Sequence, residues 1–180
     1  MDLHIEDDRI AVPTLTTDRL TLRMPRLPDA PLVADALNNL NVSRWLAVVP
    51  YPYGLSDAVW FIEECAKGTF HAWFIWDGDR FVGTIGIDGA LGYWLAEPCW
   101  GQGYATEAGH AVVDHYFLTG HADSLGSGYF VGNTGSGNVL GKLGFEPTEV
   151  KAQHCLAQGK DLPSQRMLLT RARWAAHHDG

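Results

Sequence analysis

The run Trp100-Gly101-Gln102-Gly103-Tyr104-Ala105-Thr106-Glu107-Ala108 sets two glycines, one residue apart, between a strand-like and a helix-like stretch. Glycine admits φ > 0 and lets a ligand approach the main chain, so such a loop can close its backbone N–H groups around a phosphate. A helix starting at Tyr104 would aim its free N–H groups and positive dipole end at the same point. The chemistry implied is the binding of an anionic cofactor, with a pyrophosphate first in line. A dinucleotide site would want a third glycine and an early βαβ unit. A Walker loop would want Gly-Lys-Ser/Thr, and that is absent.

A second constellation is Asn133-Thr134-Gly135-Ser136-Gly137-Asn138-Val139-Leu140-Gly141-Lys142-Leu143-Gly144-Phe145. Asn133 ends a strand-like run and Ser136 falls in the first turn of the next helix. Taken alone, both read as helix-capping residues, and Lys142 as a solvated charge.

Together, in this order and spacing, the two constellations resemble the GNAT acetyltransferase superfamily. The closer resemblance is to its RimJ/RimL-like branch of ribosomal-protein N-terminal acetyltransferases. Leu15-Thr16-Thr17-Asp18-Arg19-Leu20-Thr21-Leu22-Arg23 is similar to that branch's opening strand, and Gly92-Tyr93-Trp94-Leu95 to its central strand. The likeness runs from about Leu15 to Trp174. It implies acetyl-CoA as co-substrate and direct attack by an amine in a ternary complex. Gly101, Gln102, Gly103, Tyr104, Ala105 and Thr106 would bind the pyrophosphate through backbone N–H groups, with Trp100 beside them. The strand of Tyr93 and Leu95 would pair with the pantetheine arm, and a backbone N–H near Leu95 would polarise the thioester carbonyl. Asn133 would bond the pantetheine or a nearby backbone group, and Ser136 would sit near the sulfur. Asn138 and Lys142 would lie towards the nucleotide. The acceptor would be a primary amine, either a protein N-terminal α-amine or a small molecule. A non-catalytic acyl-CoA-binding module and an enzyme for longer acyl groups are the alternatives.

The chain departs from the superfamily in two places. Trp100 stands where Gln or Arg is frequent, which fits the RimJ/RimL-like branch. Leu140 stands where many members carry a catalytic Tyr, so Ser136 is left to assist the departing thiolate. A base for the amine is sought among Glu97, His71, Asp88 and Glu64. Each also has a plain reading as a turn, surface or strand residue. Cys99 could carry an acetyl group but reads better as a small buried residue. Of the aromatic residues, Trp60 and Trp73 read as core. Tyr51 and Tyr53 read as an exposed lip within the segment from Ser43 to Tyr53, which by resemblance walls the acceptor pocket.

The elements that must hold these residues follow from periodicity and punctuation. Strands are expected over Thr14–Arg23, Phe70–Trp76, Arg80–Ile87 and Leu91–Leu95, around Tyr129 and Val131, and over Phe145–Val150 and Arg166–Arg173. Asp77-Gly78-Asp79 should close a tight hairpin. Helices are expected from an Asp29 start to about Leu40, over Val42–Ala47, and from a Ser56 cap to Lys67. Two more should follow the glycine loop and Asn133, the latter closed by Gly144. His177 and His178 read as a frayed end. The fold class is mixed α/β (α+β), GNAT-like, with a mostly antiparallel sheet flanked by helices and a splayed central strand for the cofactor.

Bulk properties agree with that reading. The chain has 180 residues, 46% of them hydrophobic, and a formal net charge of −8. One domain over residues 1–180, with a core of about 14–174, can bury enough apolar surface to fold. There is no basic footprint for nucleic acid and no spanning apolar run. The acidic stretch from Met1 to Asp8 has no signal-peptide core. Cys65, Cys99 and Cys155 are odd in number and form no metal-binding spacing. A reduced, cytoplasmic setting, no metal, and a monomer or homodimer are expected.

Overall fold

The apolar run Ala72-Trp73-Phe74-Ile75 is buried on both faces, and the rest of the molecule is layered around it. Alternate side chains of a strand point to opposite faces. Trp73 and Ile75 accordingly enter one core and Phe74 enters another. The computed structural model describes residues 12–179. The acidic N-terminal stretch discussed above lies outside them.

Five strands form one antiparallel sheet in chain order: β1 (Leu15–Thr16), β2 (Thr21–Arg23), β3 (Ala72–Asp77), β4 (Arg80–Ile87) and β5 (Leu91–Leu95). Three more, β6 (Ser124–Phe130), β7 (Glu146–Cys155) and β8 (Lys160–Thr170), form a second antiparallel sheet in the order β6-β8-β7. The two sheets meet where β5 runs beside β6. One parallel bridge, Ala90 to Gly126, joins these strands, and the Ser127 hydroxyl donates to the Leu91 carbonyl at 2.8 Å. No further pairing between β5 and β6 follows, so the two strands splay. The mixed α/β architecture with a splayed central strand is therefore as expected.

Helices cover both faces. On one side α4 (Tyr104–Thr119) and α5 (Thr134–Lys142) pack on the sheet through Val112, Val113, Leu140 and Leu143. On the other lie α1 (Ala30–Leu37), α2 (Leu40–Ser43) and α3 (Leu55–Ala66), around Val33, Leu37, Ile62 and Phe74. No helix among the described residues is long and apolar enough to cross a membrane.

Several local expectations are corrected. The opening strand is a small hairpin, β1 to β2, turning at Thr17-Asp18-Arg19-Leu20. α1 starts after Asp29 as expected but ends at Leu37, short of Leu40. The Asp29 carboxylate makes no cap bond to α1 and instead holds Arg23 at 2.8 and 3.0 Å and the Arg26 N–H at 3.1 Å. Gly54, not Ser56, precedes α3, and the Asp57 carboxylate accepts from its N–H. Trp60 is 56% exposed, edge-on to Phe70, and Tyr53 is buried in the second core. Burial pushes the Tyr53 phenol up to about 12. The C-terminal residues read as strand and frayed end form α6 (Arg171–His178), with Thr170 as its cap. Trp174 of this helix donates to Asp114 at 2.7 Å and stacks on Phe117.

Candidate active site

The glycine loop turns as its sequence requires. Gly101 has φ 72° and Gly103 has φ 79°, values that residues with a side chain rarely adopt. Gly103 ends the loop at α4, where the first intrahelical bond runs from the Glu107 N–H to the Gly103 carbonyl. The N–H groups of the turn before it have no acceptor within the helix and point out of its end.

A clamp absent from the sequence reading fixes this loop. The Glu107 carboxylate accepts from the Thr17 hydroxyl at 2.5 Å, the Arg19 N–H at 3.0 Å and the Arg19 guanidinium at 2.7 Å. Burial alone would raise the Glu107 carboxyl, but these bonds outweigh it and hold the group below its ordinary range. Arg19 also donates to the Gln102 carbonyl at 2.9 Å and lies over the Tyr104 ring. An arginine in a hairpin turn carries no local signal for such a role. The side chains of Gln102 and Tyr104 turn away from the cleft: Gln102 donates to the Pro98 carbonyl and Tyr104 to Asp77. Tyr104 still lines the cleft, whereas Gln102, expected among the cofactor-binding residues, does not.

The edge of β5 is open at the residues singled out in sequence. The Ala96 N–H donates to the Val82 carbonyl at 2.9 Å, in line with the pairing of Gly83 with Leu95 and Ile85 with Tyr93. Backbone groups of an antiparallel pair alternate between the partner strand and the opposite side. Tyr93 and Leu95 therefore turn their N–H and C=O groups away from β4, towards the splay. The Leu95 carbonyl is already taken by the Trp100 indole N–H at 2.9 Å, leaving the Leu95 N–H.

Across the splay, Asn133 caps α5, its side chain accepting from the Ser136 N–H at 3.3 Å. The Ser136 hydroxyl lies 2.8 Å from the Tyr93 phenol. Burial pushes that phenol up to about 12, although its bond to Ser136 pulls the other way. Asn138 and Lys142, about one turn apart further along α5, line the same cleft, whereas Leu140 is fully buried behind them. The cavity bounded by the glycine loop, β5, α5 and β6 holds about 900 Å3.

A family model described as Acetyltransferase (GNAT) domain matches residues 19–146. The chain belongs to this family. It is thus an acetyl-CoA-dependent acetyltransferase. A [ribosomal protein uS5]-alanine N-acetyltransferase of Escherichia coli is 28% identical over 178 residues, covering 89% of this chain and 92% of that protein. An uncharacterised N-acetyltransferase, p20, of Bacillus licheniformis is 24% identical over 160 residues, 82% and 90% of the two chains. Two solved structures share the fold. RimL, a ribosomal L7/L12 α-N-protein acetyltransferase in complex with coenzyme A, superimposes with a TM-score of 0.77 at 17% identity, over 88% of this chain and 98% of that one. Mycobacterium smegmatis RimJ, in complex with CoA-disulfide, does so with 0.75 at 21% identity, over 93% and 95%.

The residues present fit the GNAT co-substrate. A turn of unpaired N–H groups, an open strand edge and a hydroxyl follow one another along one cleft, matching pyrophosphate, pantetheine amides and thioester sulfur. The candidate bases do not join them. Glu97, expected as a catalytic carboxylate, is bonded to Asn39 at 2.7 Å and Asn41 at 3.1 Å and fastens α2 to the loop. His71 pairs with Asp88 at an exposed strand end, and Glu64 pairs with Lys67 on α3. Cys99 is buried, and that burial raises its thiol above the ordinary value. No Asp, Glu, His or Cys lines the cleft among the described residues.

The far wall of the cleft is the segment from Trp45 to Val48. The β7–β8 hairpin holds it, through Leu156 N–H to the Ala47 carbonyl and Gln158 to the Arg44 carbonyl, both at 2.9 Å. Tyr51 is exposed and, like Tyr53, stands outside this wall.

Proposed function

We propose that this GNAT enzyme acetylates a protein N-terminal α-amine by direct attack on acetyl-CoA in a ternary complex. The observation that carries the reading is the open edge of β5 at Tyr93 and Leu95, facing both the glycine loop and Ser136 within one cleft. The α-amine acceptor is supported by the relative that acts on a ribosomal-protein alanine.

Backbone N–H groups from Gly101 to Thr106 hold the pyrophosphate, with Trp100 alongside and the α4 dipole behind them. Asn138 and Lys142 attend the nucleotide end. The β5 edge at Tyr93 and Leu95, with Asn133 opposite, aligns the pantetheine arm. The Leu95 N–H donates to the thioester oxygen as negative charge develops there. Ser136 donates to the departing sulfur, steadied by Tyr93. Burial keeps that phenol protonated across the working pH range, so it serves as a donor. Among the described residues the cleft has no carboxylate or imidazole, so the amine loses its proton to water. Residues 1–180 act as one catalytic domain in the cytoplasm, where the buried, unpaired Cys65, Cys99 and Cys155 stay reduced.

The test is thiol release from acetyl-CoA with a panel of peptides and small amines, with the acetylated product located by mass spectrometry. Amine-dependent release with label on the peptide α-amine is expected. Binding without release for every amine would instead make the chain an acyl-CoA-binding module. Faster release from longer acyl-CoAs would reassign the donor.

A further inference from the structure

Among the described residues two cations, Lys142 and Arg166, and no carboxylate line the cleft, in a chain whose net charge is −8. Lys142, on α5, belongs to the cofactor side. Arg166 does not. Its neighbours on β8, Met167 and Leu169, enter the core beneath α4 and α5, so alternation turns Arg166 to the opposite face of the sheet. Register puts Gln153 and Cys155 of β7 on that same face. The Cys155 thiol there lies 3.5 Å from the Arg44 carbonyl and 3.6 Å from that of Leu46. Arg166 thus shares the cleft's far side with the Trp45–Val48 wall, away from the glycine loop.

Its side chain is aimed and unpartnered. Arg166 pairs across the ladder with Gly128, and its Cδ lies 3.6 Å from where a Cβ on Gly128 would be. The missing side chain lets the arginine stem cross β6 towards the splay. Among the described residues the guanidinium makes no hydrogen bond and no ion pair, whereas Arg19, Arg23 and Arg173 all meet carboxylates. Counting from the parallel bridge of Ala90 with Gly126, Gly128 is level with Gly92, one residue from Tyr93. Tyr93 and Arg166 line one cleft of about 900 Å3, and an extended chain advances about 3.3 Å per residue. The guanidinium therefore stands within about three residues' reach of the acyl-transfer point.

We infer that Arg166 is a specificity-determining residue that binds a carboxylate side chain of the acceptor, at the second or third residue counted from the reacting α-amine. The inference rests on the acceptor reading above. A guanidinium offers a planar fork of donors that a carboxylate accepts in two parallel bonds. An uncharged residue at that place leaves the guanidinium without a partner, which is how the site would discriminate.

The test uses pairs of peptides with amidated C-termini that differ only by Asp or Asn at the second or third position. The side chain is then the only carboxylate. Wild type should use the Asp member with a kcat/KM about tenfold higher or more. R166Q should use both within about twofold, and R166E should favour a Lys-containing peptide. Dissociation constants for acetyl-CoA should stay the same in all three. Equal use of the pair by wild type, or a preference surviving in R166Q, overturns the inference. So does an acetyl-CoA affinity that falls tenfold in R166Q, since the cation would then serve the cofactor. Calorimetry of the same peptides on the CoA complex needs no turnover. An Asp preference in binding without acetylation would remove the acceptor reading and leave the subsite. Acetylation without any preference would do the reverse, and neither binding nor acetylation would overturn both.

Discussion

The Tyr93 phenol and the Ser136 hydroxyl lie 2.8 Å apart and join β5 to the first turn of α5 across the cleft. If Tyr93 donates, the Ser136 proton is free to face the sulfur. A hydrogen bond to a developing charge is worth about 1.5–3 kcal/mol, or roughly 10–100-fold in rate. S136A should lower kcat by about that factor, with the dissociation constant for acetyl-CoA held within about twofold. Y93F should cost less, and the double variant little more than S136A alone, because both act through one contact. Steady-state kinetics with calorimetry decide. Unchanged turnover in S136A removes it from the mechanism.

The paired left-handed glycines predict a different failure. A Cβ on Gly101 would meet no atom within 4 Å and one on Gly103 only the Arg19 guanidinium at 3.5 Å, an ordinary contact, so the demand is one of backbone conformation and not of space. A residue with a side chain pays roughly 1–2 kcal/mol to hold that conformation, and a valine more. G103V should therefore lose acetyl-CoA binding by about 100-fold or more while keeping its circular dichroism. Near-normal affinity in G103V would show that this loop does not hold the pyrophosphate.

Glu107 should make the clamp sensitive to acid. Its carboxyl is held below the ordinary value in the folded chain, through the bonds from Thr17 and Arg19 that outweigh burial. A group lowered on folding contributes stability at pH above its unfolded value, about 4.3, and loses it as pH falls through the folded value. Wild type should lose thermal stability from about pH 5 downwards more steeply than E107Q, which cannot titrate there. At neutral pH, E107Q should also bind acetyl-CoA more weakly, because Arg19 no longer fixes the Gln102 carbonyl. Parallel melting curves for the two proteins across that range would refute the linkage.

What could be read from sequence divides along a physical line. Gly101, Gly103, Asn133 and Gly144 are legible because each answers a local backbone demand. β5 is legible because turns bound it on both sides. Arg19 and Arg166 were not, since their partners lie far away in sequence or are not part of the chain. The tether made by Glu97 is illegible for the same reason: it sits beside the loop in sequence, but Asn39 and Asn41, far away in the chain, donate to its oxygens. The final helix carries a local signal that a neighbouring pattern masks. Thr170 before a run of good helix formers is a start signal, yet the strand pattern of β8 extends into it, and Thr170 both pairs with Ser124 and caps α6.

A cleft lined, among the described residues, by no carboxylate or imidazole predicts that pH dependence belongs to the acceptor. The rising limb of kcat/KM should inflect near the pKa of the amine itself, about 7.7–8.0 for an N-terminus, and move up with a more basic amine. E97Q should leave that inflection in place. An inflection fixed near neutrality whatever the acceptor would instead reveal a side-chain base that the cleft lining does not contain.

The three internal glycines of α5 should not respond alike. Each lowers helix propensity by about 1 kcal/mol relative to Ala, which makes this cofactor helix weak on its own. At Gly141 an added Cβ meets nothing within 4 Å, so G141A should stabilise the enzyme by roughly 0.5–1 kcal/mol. At Gly137 the same atom would lie 2.9 Å from the Tyr129 ring, which lines the cleft. G137A must push that ring aside, so it should lower both melting temperature and turnover despite the better propensity. Hydrogen exchange supplies the link to binding. Amides of α5 should exchange faster in free wild type than in its CoA complex, and G141A should narrow that gap by protecting the free form. Equal protection with and without CoA would mean that packing of Leu140 and Leu143 already holds the helix, and that its glycines serve only to clear space.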